Sequence, residues 1–279
     1  MTVEPQARVR CRQITDHDLD GLADMLARGF PRTHRDYWLQ GFARWKRMPV
    51  IEGVPRFGYV LDAGLGPVGV ILLISSQRGG QIISNLSSWY VDPAWRTHST
   101  LLVSMATKLK HVTYLNASPA PHTWKTLQAQ GFAPYNFGRS LVFALPGRGK
   151  VTDRIPGNLP EAQLLRDHRT FGMTSVMVEK DGIVSPFVLK PRRLDKPPLP
   201  VMDVMFCRGP QDFRRCAPAL ARHFLPRGRL AFLIDGDQPT SFSMKLFSHY
   251  APGKEPRYFK GPVQPILGDL AYTEKVIFG

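Results

Sequence analysis

The run SSWYVDPAWRTHSTLLVSM, Ser87 to Met105, begins as a strand and ends as a helix, with one proline between them. Ile82–Val91 reads as a long strand, and Pro93 ends it because proline cannot donate to a ladder. From Thr97 to Lys110, Leu101, Leu102, Met105, Ala106 and Leu109 recur at helical spacing. The join therefore places Arg96, Thr97, His98, Ser99 and Thr100 where the first helical N–H groups lack partners. Such a terminus either holds an anion or is an ordinary capped helix.

The surrounding pattern alternates strands and helices. Arg8–Thr15 reads as a strand, DHDLDGLADMLARGF as a helix, and His34–Met48 as a second helix with an aromatic face. FGYVL and VGVILLISS form a hairpin around DAGLGP, and the long strand to Val91 follows. After the helix, HVTYLNAS is a short buried strand, PAPHTWKTLQAQGF a helix closed by Gly131, and NFGRSLVFAL a strand. The pattern breaks at PGRGK, which delimits a first unit, 1–147, from a second, 148–279. In the second, a helix, a hairpin around Lys180–Gly182, a strand, a helix and the buried strand RLAFLIDGD can be read. Lys190–Pro200 reads as a proline-rich loop, and the end from Gln238 as irregular. The second unit is either a degenerate copy of the first or a common α/β pattern.

Composition narrows the class. The 279 residues are 43% hydrophobic, enough for a core, and no apolar run approaches a membrane span. The N-terminus lacks the apolar segment of a signal peptide, so a cytoplasmic location is expected. Cys11, Cys207 and Cys216 form no CxxC pair, so neither a disulfide framework nor a zinc site is expected. The net charge of +15 is spread along the chain and favours polyanions without choosing among them. GRGK at Gly147–Lys150 lacks the spacing of a P-loop, and DGD at Asp235–Asp237 reads as a turn.

The order of elements and the strand–proline–helix join resemble the GCN5-related N-acetyltransferase superfamily over roughly residues 8–145. Val91, Pro93, Trp95 and Arg96 match the family's strand end and loop start, Gly131–Phe132 matches the Gly-Phe after the next helix, and Asn116 stands in its usual context. The resemblance implies a mixed, mostly antiparallel sheet flanked by helices. It also implies acetyl-CoA or another acyl-CoA as cofactor. The pyrophosphate would lie on the helix start, contacting Arg96, Thr97, His98, Ser99 and Thr100. The pantetheine arm would lie beside Trp89, Tyr90, Val91 and Asn116, in a gap between Ile82–Val91 and Val112–Ala117. An amine, small-molecule or peptide, would attack the thioester directly.

Two departures stand out. The family's R/Q-x-x-G-x-G/A loop has both glycines replaced here, by Ser99 and Leu101. The tyrosine that commonly protonates the leaving thiolate is replaced by Leu127. Tyr114 and Tyr135 are the remaining candidate acids and His122 a candidate base; His98 and His111 are chemically eligible as well, but His98 on the phosphate loop would more naturally touch phosphate. Asn85, Ser87 and Ser88 line the acceptor side, with alternation sending Ser87 and Trp89 to one face and Ser88 and Tyr90 to the other. The acceptor is expected between the two units, walled by the Lys190–Pro200 loop. Three readings follow: an acyl-CoA-dependent N-acyltransferase, monomeric or homodimeric; an inactive ligand-binding or protein-interaction relative; and a polyanion-binding protein, with nucleic acid the least favoured partner.

Overall fold

The computed structural model describes residues 9–64, 66–195, 198–229, 231–236 and 248–279. Arg8, Lys196, Pro197 and Asp237, which enter the expectations above, lie outside the described residues. Twelve strands form one sheet. They are β1 (Arg10–Gln13), β2 (Gly58–Asp62), β3 (Pro67–Arg78), β4 (Gln81–Val91), β5 (Val112–Asn116), β6 (Ala133–Val142), β7 (Lys150–Thr152), β8 (Thr174–Lys180), β9 (Ile183–Asp195), β10 (Pro198–Phe206), β11 (Ala231–Gly236) and β12 (Ser248–Lys260). The helices are α1 (Leu19–Gly29), α2 (Arg35–Trp45), α3 (Ser99–Ala106), α4 (Trp124–Ala129), α5 (Ala162–Thr170), α6 (Pro210–Phe224) and α7 (Glu274–Ile277). No helix among the described residues is long and apolar enough to cross a membrane.

The strand order is β1-β2-β3-β4-β5-β12-β6-β11-β10-β9-β8-β7. Read from either edge, four strands in chain sequence lead to a parallel pair, β4 with β5 and β10 with β11. The two last strands are then exchanged. β6 lies against β11, and β12 lies between β5 and β6. Every other named pairing is antiparallel. Helices cover both faces. Leu22 and Leu26 of α1, Trp38 and Phe42 of α2, Leu165 of α5 and Ile277 of α7 share one core, here the front. α3 and Leu127 of α4 pack on the back of the first half, and α6 on the back of the second.

Two stretches that read as irregular are strands. Of this stretch, Lys190–Asp195 belong to β9 and Pro198–Pro200 to β10 rather than to a loop. Pro191, Pro198 and Pro200 fit because they stand on free edges. β8 pairs with β9 only as far as Leu189, so Pro191 has no neighbour on that side, and β10 meets β11 only from Val201 onward, beyond Pro198 and Pro200. The other stretch, SHYAPGKEPRYFK, forms β12, whose register breaks between Pro252 and Arg257. The break absorbs the two prolines and the glycine that made it read as loop.

A band of buried charge joins the halves on the front face. Arg257 of β12 is fully buried; it pairs with Asp235 of β11 at 3.1 Å and donates to the carbonyl of Ala117 beyond β5. Arg139 of β6 bridges Asp235 and Asp203, and Arg192 and Lys275 complete the band around Glu255. Burial opposes the charge on Arg257, but Asp235 and Glu255 outweigh it and raise the guanidinium above its ordinary range. Removing one member strands its partner in a site that water does not reach. Arg257→Ala is therefore expected to destabilise the fold by about 3–5 kcal/mol in urea unfolding.

His168 of α5 ties the C-terminal segment to the front face. Its Nδ1–H donates to the Leu164 carbonyl at 2.7 Å, and its Nε2 accepts from the Tyr272 amide at 3.3 Å. The second bond requires the neutral ring, because a protonated Nε2 cannot accept. Desolvation holds the His168 pKa down at about 4. Because the folded value is depressed, the unfolded chain takes up the extra proton, and stability is lost as pH falls from about 6.5 toward 4. Unfolding at pH 5 against pH 7 should show a loss of about 2 kcal/mol that is absent in His168→Gln.

Candidate functional site

The site follows from where β4 and β5 part. Their parallel pairing runs from Ile82–Val112 to Asn85–Leu115 and stops. Beyond that rung β4 follows β3, with a register shift between Val70 and Leu72. Ser88 stands in the shift at φ 52°. A bulge of this kind leaves an extra residue out of the ladder and bends the strand. It also reverses the expected alternation: Leu86 and Trp89, three apart, pack into the same back core, whereas Tyr90 packs into the front. Ser87 and Trp89 therefore do not share a face. The hydroxyls of Ser87 and Ser88 meet at 3.0 Å.

At the wide end of the gap the chain turns through a 3-10 helix, Pro93–His98, before α3 begins at Ser99. The expected helix over Thr97–Lys110 is thus shorter at both ends. Thr97 and His98 belong to the tight turn, where their side chains meet at 3.2 Å. Trp95 and His98 rings lie 6.0 Å apart. Arg96 is exposed, and among the described residues no carboxylate pairs with it. Starting at Ser99, α3 turns Leu102, Val103 and Ala106 inward and leaves Leu101 39% exposed, so Leu101 is not a core residue. Val91 is buried, and Thr100 is exposed on the first turn of α3.

The front of the gap carries a carboxylate. Glu274 of α7 accepts hydrogen bonds from Asn85 Nδ2 and from Ser118 Oγ. It thereby bridges the last paired residue of β4 and the residue just past Ala117. Its partners are neutral, whereas the neighbouring Lys275 is committed to Glu255. Tyr135 stands on β6, two strands beyond β5 in the sheet. Its hydroxyl is buried with no partner among the described residues, and its ring meets Phe259 at 5.9 Å. Desolvation, reinforced by Asp235, raises its pKa and keeps the phenol protonated.

The other sequence candidates lie elsewhere. Tyr114 packs into the back core, where its hydroxyl accepts the Leu109 N–H at 3.1 Å; burial raises its pKa to about 12. His122 is exposed on the short 3-10 helix Pro121–Thr123. Asn116 ends β5 opposite Tyr258 of β12. Sequence reasoning missed Glu274 because it lies 189 residues from Asn85, in a segment without periodicity.

The second half has the equivalent parting of strands, but the chain fills it. β10 and β11 pair from Val201–Ala231 to Asp203–Leu233. Beyond them the Leu270 amide donates to Met205 O at 2.8 Å, and the Cys207 amide to Gly268 O at 3.0 Å. Gly268, at φ 87°, leaves no room: a Cβ there would stand 2.6 Å from Cys207 Sγ. Among the described residues no backbone hydrogen bonds of this kind enter the first gap.

The chain has the fold of the GCN5-related N-acetyltransferases. It aligns over 97% of its length with 97% of a candidate acetyltransferase from Pyrococcus horikoshii, at TM-score 0.58 and 12% identity. It also aligns with a GCN5-related N-acetyltransferase from Anabaena variabilis (TM-score 0.57, 8% identity, 91% of this chain and 72% of that one). A fungal GCN5-related glucosamine N-acetyltransferase region gives TM-score 0.57 at 13% identity, covering 92% of this chain but only 38% of the larger protein. No family model matches the sequence, and no curated protein matches it.

If the filled gap excludes a ligand, titration with coenzyme A should saturate at one molecule per chain. Gly268→Ala should destabilise the protein by about 1 kcal/mol or more, because it adds both strain and a clash. Calorimetry and thermal unfolding check the two outcomes.

Proposed function

We propose that the chain is an acyl-CoA-dependent N-acyltransferase of the GCN5-related superfamily, with residues 1–147 forming the cofactor-binding unit and 148–279 a degenerate copy. The observation that carries this reading is the gap beyond the Asn85–Leu115 rung, bounded by the Ser88 bulge and the turn at Pro93–Ser99. Acetyl-CoA or another acyl-CoA fits there on physical grounds. A free strand edge would pair with the pantetheine amides, and the Arg96 guanidinium, which no carboxylate among the described residues pairs, would favour pyrophosphate. Ser99 at the first position of α3 supplies a hydroxyl where a glycine would supply only space.

The cofactor brings an activated thioester. Glu274 takes the proton as the amine nitrogen attacks the carbonyl carbon. The carbon–nitrogen bond forms, the carbon–sulfur bond breaks, and the thiolate leaves. A thiolate is a weaker base than a buried phenolate, so Tyr135 serves as a hydrogen-bond donor to the developing charge rather than as a full acid. Neither Tyr114, whose hydroxyl is occupied, nor the exposed His122 is needed for these steps.

Calorimetry with acetyl-CoA tests the cofactor claim, and absence of binding at millimolar ligand would refute it. Arg96→Ala should weaken binding by about 1–3 kcal/mol with little effect on folding. Ser99→Gly should preserve or improve it. Glu274→Gln should leave cofactor affinity in place and reduce turnover by about 10²–10⁴-fold, the range for a lost general base. Unchanged turnover would remove Glu274 from the mechanism.

A further inference from the structure

A cavity of about 650 Å³ lies on the front face between the two halves. This volume is within the range of small-molecule sites. Its first-half wall is built from Met48, Ile51, Ile83 and Leu115, and Phe206 closes the second-half side. Leu115 is the residue paired with Asn85, and Ile83 precedes Asn85 by two on the same strand. Through Leu115 the cavity thus reaches the rung where β4 and β5 part, while Asn85 and the Glu274 it holds stand outside the lining. The segment that fills the second gap forms another wall through Ile266, Asp269 and Tyr272.

The charges of this lining sort themselves. Arg78 pairs with Asp269 at 2.8 Å, and Arg208 pairs with Glu161 at 2.7 Å. Asp167 is left with neutral partners, the Tyr272 hydroxyl and Gln163 Nε2, each donating at 2.6 Å. The cavity therefore carries one carboxylate not neutralised by its neighbours, in a chain whose net charge is +15. Most of its remaining surface is aliphatic or aromatic. An excess negative charge inside an apolar cavity favours a cation attached to an apolar body.

We propose that this cavity is the acceptor site and takes a primary amine on a compact apolar body, drawn in as its ammonium by Asp167. The acceptor role rests on the acyltransferase reading above; the preference for an apolar cation does not. The amine gives up its proton at the rung, where Glu274 stands bonded to Asn85 and Ser118. Peptides and polyanions are disfavoured, the first by the cavity's size and the second by its charge.

Phenethylamine, 2-phenylethanol and phenylacetate share one ring and differ in charge, and each can be titrated into the full chain without cofactor by calorimetry or NMR. Phenethylamine should bind at least tenfold more tightly than phenylacetate. Asp167→Asn should remove that preference. Ile51→Trp, which fills the cavity from a loop, should abolish binding of all three, and both variants should keep the parent's affinity for coenzyme A. Equal or tighter binding of phenylacetate, or phenethylamine binding that survives both substitutions, overturns the proposal. With acetyl-CoA present, release of one thiol per amine acylated supports the acceptor role; an amine that binds beside bound acetyl-CoA without being acylated overturns it. If coenzyme A fails to bind while phenethylamine binds as described, the cofactor reading falls and the cation site stands.

Discussion

The structure turns on a guanidinium that water does not reach. Arg257 has no exposed surface, and its bonds run to three strands: its own β12, Asp235 on β11 and the carbonyl of Ala117 at the end of β5. Arginine suits this place because its planar fork satisfies several acceptors in fixed directions and does not lose its charge. The cost of burying it is met only while every acceptor is present. The arrangement therefore specifies one register for β12, and β12 sets the position of β5 relative to β6. Since β5 forms one side of the candidate cofactor gap, the geometry of that gap depends on an interaction made by the chain's last strand.

The exchange of β6 and β12 explains why the sheet is continuous. Each half contributes the strand that the other lacks, so neither half completes its sheet alone. The two partings of strands have opposite fates. In the first half, β4 bulges at Ser88 and the space stays open. In the second, Gly268–Leu270 occupies the equivalent space with the backbone hydrogen bonds that a ligand's amides would otherwise make. The same segment then supplies a wall of the cavity, so the filled gap contributes to the front face of the open one.

What was legible in the sequence was local. Pro93 after a long strand marked the join, and the helical spacing after it marked α3, because both signals act within a few residues. The bounds shifted because the tight turn Pro93–His98 uses the residues that periodicity alone assigned to the helix. The bulge at Ser88 left no mark, since a non-glycine residue at positive φ is not announced by its type. β12 was hidden by its prolines and glycine, which tertiary pairing accommodates at the register break. Glu274 was invisible for a different reason. Its role comes from Asn85 and Ser118, residues of the opposite half, and no spacing within a single segment encodes that.

The pairing of Glu274 with Lys275 in sequence shows how the front face separates structural from chemical charge. Lys275 points into the buried band and neutralises Glu255, to which Arg139, Arg192 and Arg257 also contribute. Glu274, one residue earlier, faces the gap and meets only an amide and a hydroxyl. Neutral donors orient a carboxylate without cancelling its charge, whereas a cation at the same distance would stabilise the ionised form and oppose proton uptake. The band thus absorbs the cations that would otherwise crowd the gap. It leaves one carboxylate at the rung where β4 and β5 part, with Tyr135 held protonated on the same face.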